Sequence, residues 1–341
     1  MMKAVAYEQA GSLDRADALS DVTLKKPDAI GRDLLVKVEA VSVNPVDYKI
    51  RSAVSAEPGQ WKVLGWDAVG TVVEAGDAVK NFRVGDQVWY AGSLTRPGAN
   101  SEFHLVDERI VGHKPTSLSK MEAAALPLTS ITAWEMLFDR LDVRKPVPGT
   151  VNAILIIGGA GGVGSIAIQL VRALTDLTVI ATASRAETRE WVKQLGAHHI
   201  IDHSKPLAAQ VEALGIGKPA FVFSTTETLR HLAEIVELIA PQGRFGLIDD
   251  PDVLNIVPFK RKSVSVHWEL MFTRSLFETA DMDAQGRLLD EVARLVDEGR
   301  IKSTLTDVLS PINAENLKKA HAILESGRAR GKIVVEGWED A

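Results

Sequence analysis

The chain contains no cysteine among its 341 residues. Disulfides and every thiolate metal site are therefore excluded. It also lacks any uninterrupted apolar run of the ~18 residues that a membrane-spanning helix needs. The opening Met1-Met2-Lys3-Ala4-Val5-Ala6-Tyr7-Glu8 has no apolar core of the signal-peptide kind, so cytoplasmic residence is the default expectation. A basic excess is missing too. The net charge of -6 gives no general attraction to nucleic acid or to an anionic membrane and calls for no explanation beyond solubility. No internal repeat or low-complexity tract is present, which removes solenoids and long disordered segments.

What remains is the composition of a soluble globular protein, 46% hydrophobic and 25% charged, in a chain long enough for two domains. From Lys3 to about Val111 short alternating runs are punctuated by glycine: Leu34-Val36-Val38, Ala68 to Val73, Asp86 to Tyr90 and Ser101 to Val106. These predict a mostly antiparallel β domain. From Lys120 the texture turns helical over Met121 to Leu126 and Ile131 to Phe138, until Pro146-Val147-Pro148-Gly149 breaks it. Strand-like runs then recur at Thr178 to Ala183, His199 to Asp202, Phe221 to Ser224 and Arg244 to Ile248. Helical spacings separate them around Glu187 to Leu195, Leu207 to Leu214 and Leu229 to Ile239. That alternation means parallel βαβ units and an α/β fold with a doubly wound sheet. Two further helices, Gln285 to Glu298 and Ala314 to Glu325, precede a last strand, Gly331-Lys332-Ile333-Val334-Val335. Its expected partner is the amino-terminal β domain.

The most informative run is Ile154-Leu155-Ile156-Ile157-Gly158-Gly159-Ala160-Gly161-Gly162-Val163-Gly164. A continuous apolar strand breaks into a glycine turn that opens a helix of small and apolar residues. Gly159, Gly161 and Gly164 have the G-x-G-x-x-G spacing, which gives a tight turn, close backbone approach to a pyrophosphate and close packing of helix on strand. The N-H groups of this turn and helix start, Ala160, Gly162 and Val163 included, would face the anion. About 20 residues past such a motif, the end of the second strand reads the adenosine ribose. Ser184 and Arg185 stand there, with no carboxylate. A hydroxyl and a guanidinium fork suit the 2′-phosphate of NADPH; the alternative for Arg185 is a solvated residue at a helix start.

The segments Ser42-Val43-Asn44-Pro45-Val46-Asp47, Gly65-Trp66-Asp67-Ala68-Val69-Gly70 and Pro127-Leu128-Thr129, the glycine motif and Gly331 to Val335 together carry a resemblance. Over essentially its whole length the chain resembles the medium-chain dehydrogenase/reductase superfamily, in its zinc-independent quinone-oxidoreductase, or zeta-crystallin-like, branch. The resemblance implies a GroES-like β-rich catalytic domain over 1-125, to which 270-341 returns, and a Rossmann NADP-binding domain over 126-269. It also implies cofactor contacts for Asn44, Thr129, His203, Ser224, Ile248 and Phe272. His203 stands where relatives have a tyrosine against the adenosine phosphate; a surface histidine after a strand is the competing reading.

Zinc relatives have a cysteine near Asn44 and a Gly-His-Glu motif where this chain has Gly65-Trp66-Asp67. Trp66 offers only an N-H donor, and neither a catalytic nor a structural zinc is expected. Without zinc, hydride passes to acceptors that are already electrophilic, a quinone or the β-carbon of an enone. The resemblance sets Asn44-Pro45-Val46-Asp47-Tyr48-Lys49 beside the nicotinamide. Tyr48 is the first candidate to polarise the acceptor carbonyl, with Lys49 or Asn44 as substitutes; for Tyr48 the alternative is core packing. Trp66, Phe272 and Arg274 are candidates for the substrate pocket, with helical core packing the duller explanation of Phe272. The expected activity is an NADPH-dependent quinone or enone reductase. The alternatives are an enoyl-thioester reductase, for which only Lys260-Arg261-Lys262 offers a basic start, and a weakly catalytic NADPH-binding sensor or structural protein. The expected partners are the small-molecule acceptor and a second copy of the chain in a homodimer, through the edge strand Ser263 to His267.

Overall fold

The structure, a computed structural model, describes residues 1–339. It divides into two compact units, one made of residues 1–131 and the chain from Phe272 onward, the other of residues 132–271.

The first unit is rich in β structure. It contains β1 (Met2–Tyr7), β2 (Ser20–Leu24), β3 (Asp33–Ser42), α1 (Pro45–Ala53), β4 (Lys62–Val63), β5 (Ala68–Ala75), β6 (Gln87–Tyr90), β7 (Phe103–Asp107), β8 (Val111–His113), α2 (Lys120–Ala124) and the start of α3 (Pro127–Trp134), whose last turn belongs to the second unit. Strand β3 is the spine. Its Leu34, Leu35, Val36, Val38 and Ala40 are buried while Lys37 is exposed, and it pairs antiparallel with both β5 and β7. Helix α1 begins where Pro45 supplies a preset φ, and Asp47 accepts the Asn44 N-H at 2.7 Å to close its first turn.

The second unit holds β9 (Val151–Ile157), α4 (Gly162–Leu174), β10 (Thr178–Thr182), α5 (Ala186–Gln194), β11 (His199–Ile201), α6 (Leu207–Ala213), β12 (Pro219–Ser224), α7 (Thr228–Leu238), β13 (Arg244–Leu247) and β14 (Ser265–Trp268). Its six strands are all parallel, in the order β11-β10-β9-β12-β13-β14. The strands are continuous apolar runs because both faces are covered. Leu155, Ile180, Val222 and Phe245 pack in one core with Val211 of α6 and Ile235 of α7. Strand order reverses at β9, and in such sheets ligands bind outside the carboxyl ends of the strands at the reversal. Before this sheet, helix α3 runs into a π-helical turn over Glu135–Arg140, where the spacing predicted plain helix to Phe138.

From Phe272 the chain forms α8 (Thr273–Leu276), α9 (Ala284–Asp297), β15 (Leu305–Leu309), α10 (Ala314–Glu325) and β16 (Lys332–Glu336). β16 pairs antiparallel with β3, Val334 opposite Ser42, and parallel with β15. The last strand thus joins the amino-terminal β domain, as its sequence suggested. β15 has no alternation to betray it, since its residues are half-buried or exposed. No helix among the described residues is long and apolar enough to cross a membrane.

Candidate active site

Two clusters of candidate residues lie one in each unit. In the nucleotide unit the buried strand β9 ends at Ile157, and the chain turns at Gly158 with φ +81°. A Cβ at Gly158 would meet Thr225 Oγ1 at 2.3 Å, and one at Gly164 would meet the Gly158 carbonyl at the same distance. Both positions therefore demand glycine. The turn closes with Gly161 N-H donating to Gly158 O at 3.1 Å, and Ser165 N-H donates the first helical bond to Gly161 O at 2.9 Å. Gly162, Val163 and Gly164 come before that bond, so their N-H groups are the unpaired first turn of a helix, the anion-facing end of its dipole. Gly159 and Ala160 are buried, and the Gly159 N-H donates to Thr182 O at 3.2 Å. Gly158 itself carries the positive φ and was outside the motif count; the glycine doublet at 158 and 159 was its only signal.

Ser184 and Arg185 follow β10 and are exposed. Arg185 Nε lies 3.4 Å from Glu187 Oε1. His203 is half-buried, with Nδ1 at 3.2 Å from Thr182 Oγ1. Ser224 is buried at the end of β12 and shares a 2.8 Å hydrogen bond with Thr228. Its carbonyl accepts the Ile248 N-H at 3.3 Å. Ser224 and Ile248 thus sit together just past the sheet reversal.

In the β-rich unit the centre is Asn44, buried to 1% exposure. Its Nδ2 donates to Ser42 O, Trp66 O and Asp67 Oδ2 at 3.3, 3.2 and 2.9 Å. Its Oδ1 accepts from Lys332 Nζ. Lys332 also donates to Val43 O and to Asp67 Oδ2, at 2.9 and 3.0 Å. Asp67 Oδ1 accepts the Leu128 N-H at 2.7 Å, which fixes the start of α3, and the next residue, Thr129, is buried with Oγ1 donating to Leu126 O at 3.1 Å. Asp47 Oδ1 accepts the Gly65 N-H at 3.0 Å. Burial pushes the Asp47 carboxyl up to about 7, against the pull of its amide donors and Lys332. Burial raises Asp67 as well, with the Lys332 ammonium opposing it.

The carboxamide of Asn44 is therefore engaged at both ends and has no spare donor for an acceptor oxygen. Tyr48, next along α1, is half-buried, and its Oη has no hydrogen-bond partner among the described residues. Lys49 is exposed. Trp66 and Phe272 meet edge to face, with centroids 6.3 Å apart at 76°, and Trp66 Nε1 donates to Ser93 O at 3.2 Å. Arg274 is turned to Asp281, donating through Nε and Nη2 at 3.0 and 2.9 Å. The structure thus brings together Asn44, Asp67, Trp66 and Phe272 in one unit. It commits Arg274 to a bond within its own segment. Lys332, Asp67 and Asp47 were missed as site residues. Only Asp47 had a local signal, an Asn-x-x-Asp capping pattern at the head of a helix.

Two family models match the chain, the alcohol dehydrogenase GroES-like domain over residues 31–116 and the zinc-binding dehydrogenase over residues 195–335. A zinc-type alcohol dehydrogenase-like protein of Staphylococcus epidermidis is 38% identical over 98% of this chain and 99% of its own. A Rhizobium etli protein described as a zinc-dependent alcohol dehydrogenase has a crystal structure similar at a TM-score of 0.98, 65% identical, with 99% of each chain covered. The quinone oxidoreductase from Coxiella burnetii is similar at a TM-score of 0.80, 26% identical, again over 99% of each chain. With a glycine turn built for a dinucleotide and relatives matched along its whole length, the chain belongs to the medium-chain dehydrogenase/reductase superfamily of NAD(P)-binding oxidoreductases.

Proposed function

We propose that the chain is an NADPH-dependent reductase that delivers hydride to quinones or α,β-unsaturated carbonyls without zinc. The observation that carries this reading is Lys332, whose ammonium lies 3.0 Å from Asp67 Oδ2, both side chains nearly or wholly buried. Zinc relatives use an acidic residue at the place of Asp67. Here that carboxylate already has a cation, and Trp66 beside it is a donor bonded to Ser93. There is no thiol in the chain, and no group of three His, Asp or Glu among the described residues is arranged to hold a metal. The donor set does not fit zinc.

The residues at the glycine turn do fit a dinucleotide. The N-H groups of Gly162, Val163 and Gly164 would hold the pyrophosphate, Ser184 and Arg185 the 2′-phosphate, and Ser224 and Ile248 the nicotinamide half. When bound, the reduced cofactor supplies hydride to an acceptor that is already electrophilic. The chain's part is to orient that acceptor and stabilise charge on its carbonyl oxygen. Tyr48 has the free phenol for this donation, with Lys49 next to it. Asn44 acts by positioning α1, and Trp66 and Phe272 give the apolar wall that excludes water. The Coxiella relative, named a quinone oxidoreductase, agrees with the acceptor class. An enoyl-thioester reductase finds less support: Lys262, in the basic run that would meet a CoA phosphate, is spent capping α7, donating to Val236, Glu237 and Ile239 carbonyls at 2.7 Å each.

The test is NADPH oxidation across a panel of quinones, small enones and crotonyl-CoA, before and after exhaustive chelation, with metal analysis. Turnover of quinones or enones, unchanged by chelator and with less than about 0.1 zinc per chain, is expected. Stoichiometric zinc with chelator-sensitive turnover would overturn the zinc-free reading. Tight NADPH binding with no turnover would make the protein a sensor.

A further inference from the structure

Thr182, the last residue of β10, is fully buried and holds two successive amides of the glycine turn. Its carbonyl accepts the Gly159 N-H at 3.2 Å and its hydroxyl accepts the Gly158 N-H at 3.0 Å. The hydroxyl still has its own proton to place. Among the described residues the other atom in hydrogen-bond reach is His203 Nδ1, at 3.2 Å. A ring nitrogen that accepts a hydrogen bond carries no proton, so the imidazole proton must sit on Nε2. The reverse arrangement would set two donors on one oxygen and leave the buried hydroxyl proton without an acceptor, at a cost of about 1–3 kcal/mol.

We propose that Thr182 locks His203 in the Nε2-H tautomer, so that a neutral imidazole presents a ready donor to the adenosine 2′-phosphate and helps to select NADPH over NADH. This rests on the NADPH reading above. The surroundings agree. Burial is the main influence holding His203 below the usual histidine range, and the Arg185 and Arg230 cations act in the same direction against Asp202 and Glu227. His231, on α7 with Arg230, is close enough to feel His203 and is itself held down by burial. A neutral donor needs no proton uptake when phosphate arrives. The same hydroxyl also ties this reader to the turn that grips the pyrophosphate, through a chain Gly158 N, Thr182 Oγ1, His203 Nδ1.

The test uses the full-length protein. Long-range nitrogen-proton NMR of the cofactor-free form, with His203 assigned by its loss in His203→Ala, should show a bare Nδ1 and a protonated Nε2. A protonated Nδ1 in a protein that still prefers NADPH would overturn the lock and leave the cofactor reading intact. Calorimetry with NADPH and NADH should give Thr182→Ser the unaltered affinity ratio, because it keeps the hydroxyl. Thr182→Val should lower that ratio about fivefold, the size of one net hydrogen bond. His203→Ala leaves both Thr182-glycine bonds in place and should weaken NADPH by a similar factor with NADH unchanged, so the test survives if Thr182→Val does not fold. Equal ratios in the valine and serine variants would sink the proposal. Equal affinities for the two cofactors in the unaltered protein would instead remove the cofactor reading, and the selective role with it.

Discussion

Lys332 and Asp67 form an ion pair 3.0 Å long, with 4% and 0% of their side chains exposed. A buried pair of this kind is weak support for stability as a whole, but removing one partner leaves the other charge stranded. Lys332→Met should therefore lower unfolding free energy by on the order of 3–5 kcal/mol. The double variant Lys332→Met/Asp67→Asn should regain part of that loss. Urea denaturation of both variants checks this, and equal losses would show that the pair does not act as a unit.

NADPH should bind at least about tenfold more tightly than NADH, because charge-assisted arginine-phosphate bonds are available and Ser184 and Arg185 stand at the ribose-reading position in place of a carboxylate. Arg185→Ala should weaken NADPH and leave NADH almost unchanged. Calorimetry giving equal affinities in the unaltered protein would count against the assignment. The Glu187 carboxylate 3.4 Å from Arg185 gives the guanidinium a partner that phosphate must displace.

Tyr48→Phe should cut enone turnover on the order of 10²-fold with NADPH affinity nearly intact, since a donor aimed at developing charge acts mainly in the transition state. A strongly electrophilic quinone should lose much less. Parallel loss of cofactor binding would make Tyr48 a support of α1 instead. Native enone rates in the Tyr48→Phe and Lys49→Met variants would mean that proximity alone drives the reaction.

Stability should fall as pH rises from about 4.5 to about 8. Glu269, against Glu135 and with its Oε2 2.7 Å from Arg140 Nε, is pushed up to about 8 by burial and by the neighbouring carboxyl. The native state then holds a proton that the unfolded chain has released, so the contribution is fully present below the unfolded value and is lost as pH climbs through the folded one. Asp47, raised to about 7, adds to the same slope. Glu135→Gln removes the like charge and should raise Tm at pH 8 by about 2–4 °C, the shift of ~1 kcal/mol in a unit of this size. Thermal melts from pH 5 to pH 9 showing no narrowing of the pH dependence would refute it.

The strand β14 closes one edge of the parallel sheet, with its last residue Trp268, and Leu270 just past it, half exposed. An unpaired edge with apolar flanks favours a symmetric strand-to-strand contact. A dimer mass by light scattering at micromolar concentration is expected, and Ser265→Lys, which sets a charge on the exposed face of the edge strand and leaves its N-H bonded to Gly243 O at 3.2 Å, should reduce it to monomer. A monomer in the unaltered protein would remove this expectation.

The glycine turn and the strand and helix that flank it were legible because all three are local: an apolar run, a glycine spacing and a helix follow one another without a gap. The Asn44 cluster was not. Lys332 lies 288 residues from Asn44, and no periodicity says where a lysine at the start of a late strand will put its ammonium. Asn44 looked like a free amide for the same reason. Arg274 was a pocket candidate only through the place of its segment in relatives, and no local pattern announced that Asp281, seven residues on, would pair with it. The π-helical turn at Glu135–Arg140 was hidden because a helix with one residue more per turn keeps nearly the same apolar pattern.

Because β16 pairs with β3, the order of synthesis separates the two units in time. Residues 132–271 of the nucleotide unit are contiguous, so every partner in that sheet has left the ribosome while the other unit is still incomplete. Asp67 emerges 265 residues before the Lys332 ammonium that neutralises it. Until then, the open side of β3 and an unpaired carboxyl must stay in water. The inserted unit can therefore mature first, and the unit that begins the chain must wait for its final strand.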